Sequence, residues 1–223
     1  MVMRKDMKYN LVIFDFDGTI ADTRKVILTA KKETMRRMGY AVASDEEFAS
    51  TIGFSSKVGF HKLYPELSEE TLVECETIYR QLFEEMKKTI SPTFFTNVDT
   101  VLEELTKRGI QCTIATSRDT ESVNEFLTQW KFKEYFKYIL GNDNSTLLKP
   151  NPQQVLKTLK ELSFSSEESL VVGDMPVDIE MGRSAGVCTC GVTYGNSSKE
   201  DLEKAGADYV VEDIIELMDI VSA

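Results

Sequence analysis

The stretch NLVIFDFDGTIADT, Asn10–Thr23, carries four apolar residues, Leu11 to Phe14, straight into two aspartates separated by Phe16. A short apolar run closed at once by a Gly-Thr turn has the length and boundary of a buried strand. Asp15 and Asp17 therefore stand where a strand stops and a loop begins. In open α/β sheets, ligands bind beyond the carboxyl ends of the strands, so a carboxylate pair at that position points to chemistry.

Further short apolar runs follow at Cys112–Ala115, Tyr138–Leu140, Leu170–Val172 and Val187–Val192, with a weaker one at Tyr209–Val211. Amphipathic stretches lie between them. Val98, Val101, Leu102 and Leu105 form one helical stripe, closed by Gly109 as a C-terminal signal. This alternation predicts an α/β fold, a parallel sheet covered by helices.

The first connection breaks the pattern. Roughly 90 residues separate the first two runs, far more than an ordinary crossover needs. Within that span Val26, Ile27, Ala30, Thr34 and Met38 mark one helical face, and Leu72, Cys75, Tyr79, Leu82, Phe83 and Met86 mark another behind the start signal at Ser68. The expected division is a sheet core over 1–20 and 96–223 with a helical insert over 21–95. Hinges are expected near Ile20–Thr23 and Ser91–Phe95.

Composition narrows the function. The chain has 223 residues and a formal net charge of -11, which disfavours a general affinity for nucleic acid or anionic membrane and favours a small ligand. No apolar run approaches the roughly 20 residues of a membrane span, and the opening MVMRKDMKYN lacks a signal-peptide core, so a cytoplasmic protein is expected. Its four cysteines are too few and scattered for a disulfide framework; Cys188 and Cys190 alternate on one side of a strand as core filling.

The polar residues behind each strand form a consistent set: Asp15 and Asp17 after the first, Thr116 and Ser117 after CTIA, Lys149 in LLKPNP, and Asp174 and Asp178 in GDMPVD. Carboxylates around one lysine and one hydroxyl suit a magnesium ion and a phosphate. A carboxylate is anionic near neutral pH, so Asp15 could attack phosphorus without a partner base. Asp17 could give the leaving alkoxide a proton and later take one from water. Asp15 and Asp174 fit as side-chain metal ligands. Lys149 would act as a compact positive charge, Thr116 and backbone amides near Ser117 would hold phosphoryl oxygens, and Gly18 would let the loop turn tightly beneath them.

DFDGT, IATS, LKP and GDMPVD, spanning almost the whole chain, resemble the four motifs of the haloacid dehalogenase superfamily. Their order and spacing resemble the subgroup with a helical cap after the first strand, which includes phosphoglycolate phosphatases, pyrophosphatases, β-phosphoglucomutases and dehalogenases. The resemblance implies a Rossmann-like core with an α-helical cap and a magnesium cofactor. It implies Asp15 as nucleophile, Asp17 as acid/base and main-chain metal ligand, Asp174 as metal ligand, and Asp178 as support for the metal's water shell. Dehalogenases lack an aspartate where this chain has Asp17, and the phosphoglucomutases carry a histidine where it has Ile27. A phosphatase of small phosphomonoesters, similar to phosphoglycolate phosphatase, is therefore expected. Ser117 stands where many relatives have asparagine.

Other readings are weaker. Cys112 and Arg118 match the C-x5-R pattern of cysteine phosphatases, but no glycine lies between them to form an amide-lined loop. The only histidine, His61, lies in the insert, as a surface or packing residue. Receiver-like signalling modules also cluster aspartates with a hydroxyl and a lysine, but without a long helical insert. A pyrophosphatase or a nucleotide or sugar-phosphate phosphatase remains the alternative on the same scaffold. Specificity is expected in the insert loop TIGFSSKVGF, where Gly53 and Lys57 are candidates for substrate contact, with Lys57 placed to pair with a carboxylate. The partner is expected to be a small phosphorylated metabolite, and the protein a monomer or homodimer.

Overall fold

Leu11–Phe14 (β1) is buried on both faces, as a strand flanked on each edge and covered on each side must be. The computed structural model describes residues 8–222; residues 1–7 and 223, which the sequence division counts with the core, lie outside it. After β1 come Ala21–Asp22 (β2), Arg24–Arg37 (α1), Asp45–Ala49 (α2), Ser56–Leu63 (α3), Glu69–Ile90 (α4) and Thr93–Phe94 (β3). The chain continues through Val98–Lys107 (α5), Gln111–Ala115 (β4), Thr120–Trp130 (α6), Phe136–Leu140 (β5) and Gln153–Leu162 (α7). It closes with Ser169–Gly173 (β6), Pro176–Ser184 (α8), Cys188–Val192 (β7), Lys199–Lys204 (α9), Tyr209–Val211 (β8) and Leu217–Ile220 (α10).

Six strands form one sheet in the order β5-β4-β1-β6-β7-β8, every pairing parallel. β1 pairs with both β4 and β6, Phe14 standing opposite Ile114 and Val172. Alternation along β1 splits the core. Val12 and Phe14 join Val98, Val101, Leu102 and Leu105 of α5, while Leu11 and Ile13 join Val155 and Leu159 of α7 and Met181 of α8. Helices thus cover both faces, the Rossmann-like arrangement expected. The chain passes from β1 outward to β4 and β5, then returns to β6 on the other side of β1. That reversal opens a crevice at the carboxyl ends of β1, β4 and β6.

The long connection contains α1 to α4, with α1 packed along α4. Ser68 caps α4 by accepting from the Thr71 amide at 3.2 Å, and Ser91, at φ 40, ends it in the left-handed region. Both chain crossings run through β2 and β3, which pair as an antiparallel ribbon, Ala21 opposite Phe94 and Asp22 opposite Thr93. At the two expected hinge positions the chain is tied across itself; two-residue strands are too short to leave a periodic signal. The sequence marks neither α2 nor α3, and α3 takes up residues 56–60 of the stretch expected as a loop. Among the described residues no helix is long and apolar enough to cross a membrane.

Leu105 is wholly buried under the sheet, whereas Leu156 on α7 is half exposed. Leu105→Ala should cost about 3 kcal/mol in denaturant unfolding, and Leu156→Ala less than about 0.5 kcal/mol.

Candidate active site

The three central strands deliver their loops to one point. Lys149, ahead of α7, donates from its Nζ to Asp15 Oδ1 at 2.5 Å and to Asp178 Oδ1 at 2.7 Å. The other oxygen of Asp178 accepts from the Met175 amide at 3.0 Å, pinning the entry of α8. Asp174 Oδ2 accepts from the Asn196 amide and side-chain nitrogen, each at 2.8 Å, and its Oδ1 from the Thr19 hydroxyl at 3.4 Å. Asp15, Asp174 and Asp178 are all buried, each offering an oxygen within 4.8 Å of the others.

Three carboxylates facing one ammonium leave an excess of negative charge out of water. Burial therefore raises Asp15 well above the carboxylate range, and neighbouring Asp178 and Asp174 add to the shift while Lys149 opposes it. Asp174 is pushed up to about 7, by burial first and by the charge of Asp178 second. Burial opposes charge on Lys149 too, but Asp15 and Asp178 together hold its ammonium above the usual lysine range.

Gly18 belongs to this packing. It lies at φ +94, and a Cβ there would stand 2.2 Å from Asp174 Oδ2. The loop can pass under Asp174 only without a side chain. Thr116, at the end of β4, is buried; its hydroxyl accepts from the Arg118 amide at 3.2 Å, and its carbonyl is held by Gln154 at 2.9 Å.

Two expected substrate contacts, Gly53 and Ser117, both line the cleft and touch one another. The Ser117 hydroxyl donates to the Gly53 carbonyl at 2.9 Å, linking the β4 loop to the insert. Gly53 rests against the loop after β6, where a Cβ would be 2.7 Å from Val177. Lys57 lies on α3. Its ammonium forms an ion pair with Glu69 on the insert's surface, and it does not line the cleft.

That cleft, of about 260 Å³, lies between core and insert, with Asp15, Asp17 and Thr116 below and Lys31, Gly53 and Tyr79 above. Lys31 was not singled out in the sequence. Its signal was its place four residues after Ile27 and three before Thr34, a lysine inside an apolar stripe. Arg118 was likewise missed as a site residue. It donates to both oxygens of Asp17, from Nε at 2.9 Å and Nη2 at 2.7 Å, while Thr23 adds a third bond to Asp17 at 2.5 Å. The guanidinium carbon lies 4.4 Å from the Phe83 ring centroid, so one side chain touches the β1 loop and α4 together.

The cysteine alternative fails on burial. Cys112 lies inside β4, and desolvation pushes its thiol up to about 12, the reverse of an activated nucleophile. His61 is exposed on α3.

Comparison with known proteins places this geometry. Residues 12–192 match the family model described as haloacid dehalogenase-like hydrolase. The pyrophosphatase PpaX of Bacillus mycoides is 30% identical over 216 residues, covering 97% of this chain and 98% of that protein. The phosphoglycolate phosphatase of Vibrio cholerae is 28% identical over 218 residues, covering 95% of this chain and 96% of that protein. Among solved structures, a hydrolase from Pseudomonas syringae superposes with a TM-score of 0.87 at 25% identity, covering 96% of this chain and 100% of the other. With the strand-end motifs and the parallel sheet on one scaffold, the chain belongs to the haloacid dehalogenase-like hydrolases.

Proposed function

We propose that the protein is a magnesium-dependent phosphatase of a small phosphomonoester, working through an aspartyl phosphate, with residues 21–95 acting as a cap over the 1–20 and 96–223 core. The observation that carries this reading is the buried Asp15–Lys149–Asp178 contact beside Asp174, set at the sheet's switch point under the insert. A buried carboxylate cluster with too little positive charge fits a hard divalent cation, which would favour the ionised forms that burial disfavours. Asp15, Asp174 and the main-chain carbonyl of Asp17 would hold the ion, with Asp178 directed at its water shell. When bound, magnesium supplies charge neutralisation for the phosphoryl oxygens.

In this reading Asp15 attacks phosphorus, its bond to phosphorus forming as the ester bond breaks, and Asp17 gives the departing alkoxide a proton. A water then attacks the aspartyl phosphate while Asp17 takes a proton from it. The acyl phosphate bond breaks, Asp15 returns as carboxylate, and inorganic phosphate leaves. Arg118 donates to both oxygens of Asp17 and orients it, and one of those bonds opens when Asp17 carries the proton it gives to the alkoxide. Thr116 and the backbone amide near Ser117 hold phosphoryl oxygens; the Ser117 hydroxyl, donating to Gly53, is engaged elsewhere. The roof of the insert favours small leaving groups over polymers. A pyrophosphatase is the second reading, favoured by the 30% identity to PpaX.

A panel of phosphorylated metabolites assayed with magnesium and with excess chelator tests the reading: turnover should require the metal. Asp15→Asn should lower kcat by on the order of 10⁴-fold with circular dichroism unchanged, while Cys112→Ser stays within about twofold of the parent. Active Asp15→Asn with an inactive cysteine variant would overturn the assignment.

Asp17→Asn separates acid from positioning roles. It should slow single-turnover phosphorylation of the enzyme by an alkyl phosphate more than by nitrophenyl phosphate, whose leaving group departs with less help. Equal losses would remove the acid role.

A further inference from the structure

Lys31 is buried, at 2% exposure, yet forms no ion pair with any described carboxylate. Its Nζ donates to Thr51 Oγ1 at 2.6 Å and reaches the Thr51 carbonyl at 3.4 Å, both neutral oxygens. The Thr51 hydroxyl gives its own proton to the Phe48 carbonyl at 2.7 Å, so it can only accept from the lysine. An ammonium carries three donors, and the cleft that Lys31 lines is where another acceptor can approach. The contrast with the other buried cations of the site is direct. Lys149 faces Asp15 and Asp178, and Arg118 faces Asp17, whereas Lys31 has only oxygen dipoles.

Burying an ammonium without a counter-ion is unfavourable in a folded protein. Burial accordingly lowers Lys31 to about 7, with the charge of Asp17 opposing the shift. α3 passes close above, with Gly59, where a Cβ would stand 3.4 Å from the Lys31 Nζ, so the ammonium is covered on that side and open toward the cleft. None of the acids lining the cleft forms an ion pair with Lys31 among the described residues; Glu76 and Asp119 are engaged with Arg80, and Glu84 and Glu125 with Lys87.

We propose that Lys31 is the cation that reads the substrate's leaving group, and that this site selects phosphate compounds carrying a second anionic group a few atoms from the transferred phosphorus. This rests on the phosphatase reading above. With the phosphoryl group over Asp15 on the floor, the leaving group extends toward the roof, where Lys31 stands. A cleft of about 260 Å³ confines that second group to a short tail. A carboxylate or a second phosphate satisfies the ammonium, whereas a neutral tail leaves it uncompensated, so discrimination arises from the lysine's burial. This gives to Lys31, on α1, the role expected for Lys57.

Kinetics of the full chain on phosphoglycolate, pyrophosphate and ethyl phosphate, before and after Lys31→Met, test the inference. The ratio of kcat/KM for the anionic-tailed substrates to that for ethyl phosphate should fall by about 10- to 100-fold, chiefly through KM. A larger fall with phosphoglycolate identifies a carboxylate as the partner; a larger fall with pyrophosphate identifies a phosphate. An unchanged ratio overturns the inference. Calorimetric binding of the same three compounds to Asp15→Asn, with and without Lys31→Met, reads the site without turnover. Lys31-dependent binding of the anionic compounds, with no hydrolysis of any phosphorylated metabolite in the panel by the parent protein, would overturn the phosphatase reading and with it the leaving-group role, leaving Lys31 an anion-binding residue. Ligand-free Lys31→Met should melt no lower than its parent, since an uncompensated buried cation has been removed. Lys31→Gln, which keeps a donor without the charge, carries the same kinetic test if the methionine variant folds poorly.

Discussion

A single ammonium holds the catalytic end of the sheet together. Lys149 bridges Asp15, from the end of β1, and Asp178, from the first turn of α8, so three separate loops close on one nitrogen. Its burial would be prohibitive without those two carboxylates, and they in turn would be stranded without it. The pairing is incomplete by design of the topology: Asp174 enters the same space with only an asparagine and a threonine beside it. The parallel sheet supplies the positions, because strands on either side of β1 present their carboxyl ends to one crevice. The same convergence leaves three carboxylates facing one ammonium.

Sequence patterns recovered what depends on period and strand ends. The six apolar runs became the six sheet strands, and the four motif stretches behind them converge in space, because burial on both faces and loops at carboxyl ends leave strong local marks. What escaped depends on side-chain reach. Arg118 bends back onto Asp17 and the Phe83 ring, and no local rule says where an arginine in a loop will point. Lys57 has the residue type and loop expected of a ligand cation, but Glu69, at the start of α4, captures it. Lys31 was hidden for the opposite reason: a helix rich in lysine reads as a solvated face until the other helices of the insert are packed around it.

The insert and the core meet through contacts of two kinds. Arg80 with Asp119 and Lys87 with Glu125 are partly exposed ion pairs, individually of little thermodynamic weight. Beneath them are closer fits: the Ser117 bond to Gly53, the Gly53 backbone on Val177, and the Arg118 guanidinium on Phe83. The inner contacts all involve residues within or beside the cleft. Geometry at the roof and geometry at the floor are consequently read by the same side chains.

The β2–β3 ribbon gives that arrangement a mechanical character. Because both strands leaving the core are bonded side by side, the insert is attached as by a door hinge with two leaves, which permits swing about one axis and resists twist. One leaf begins within the loop that carries Asp17, where the Gly18 amide donates to the Ala21 carbonyl at 2.9 Å. Any rotation of the insert about this ribbon would therefore pull on the loop that carries Asp17, so the angle of the door and the aim of that carboxylate would share one mechanical coordinate.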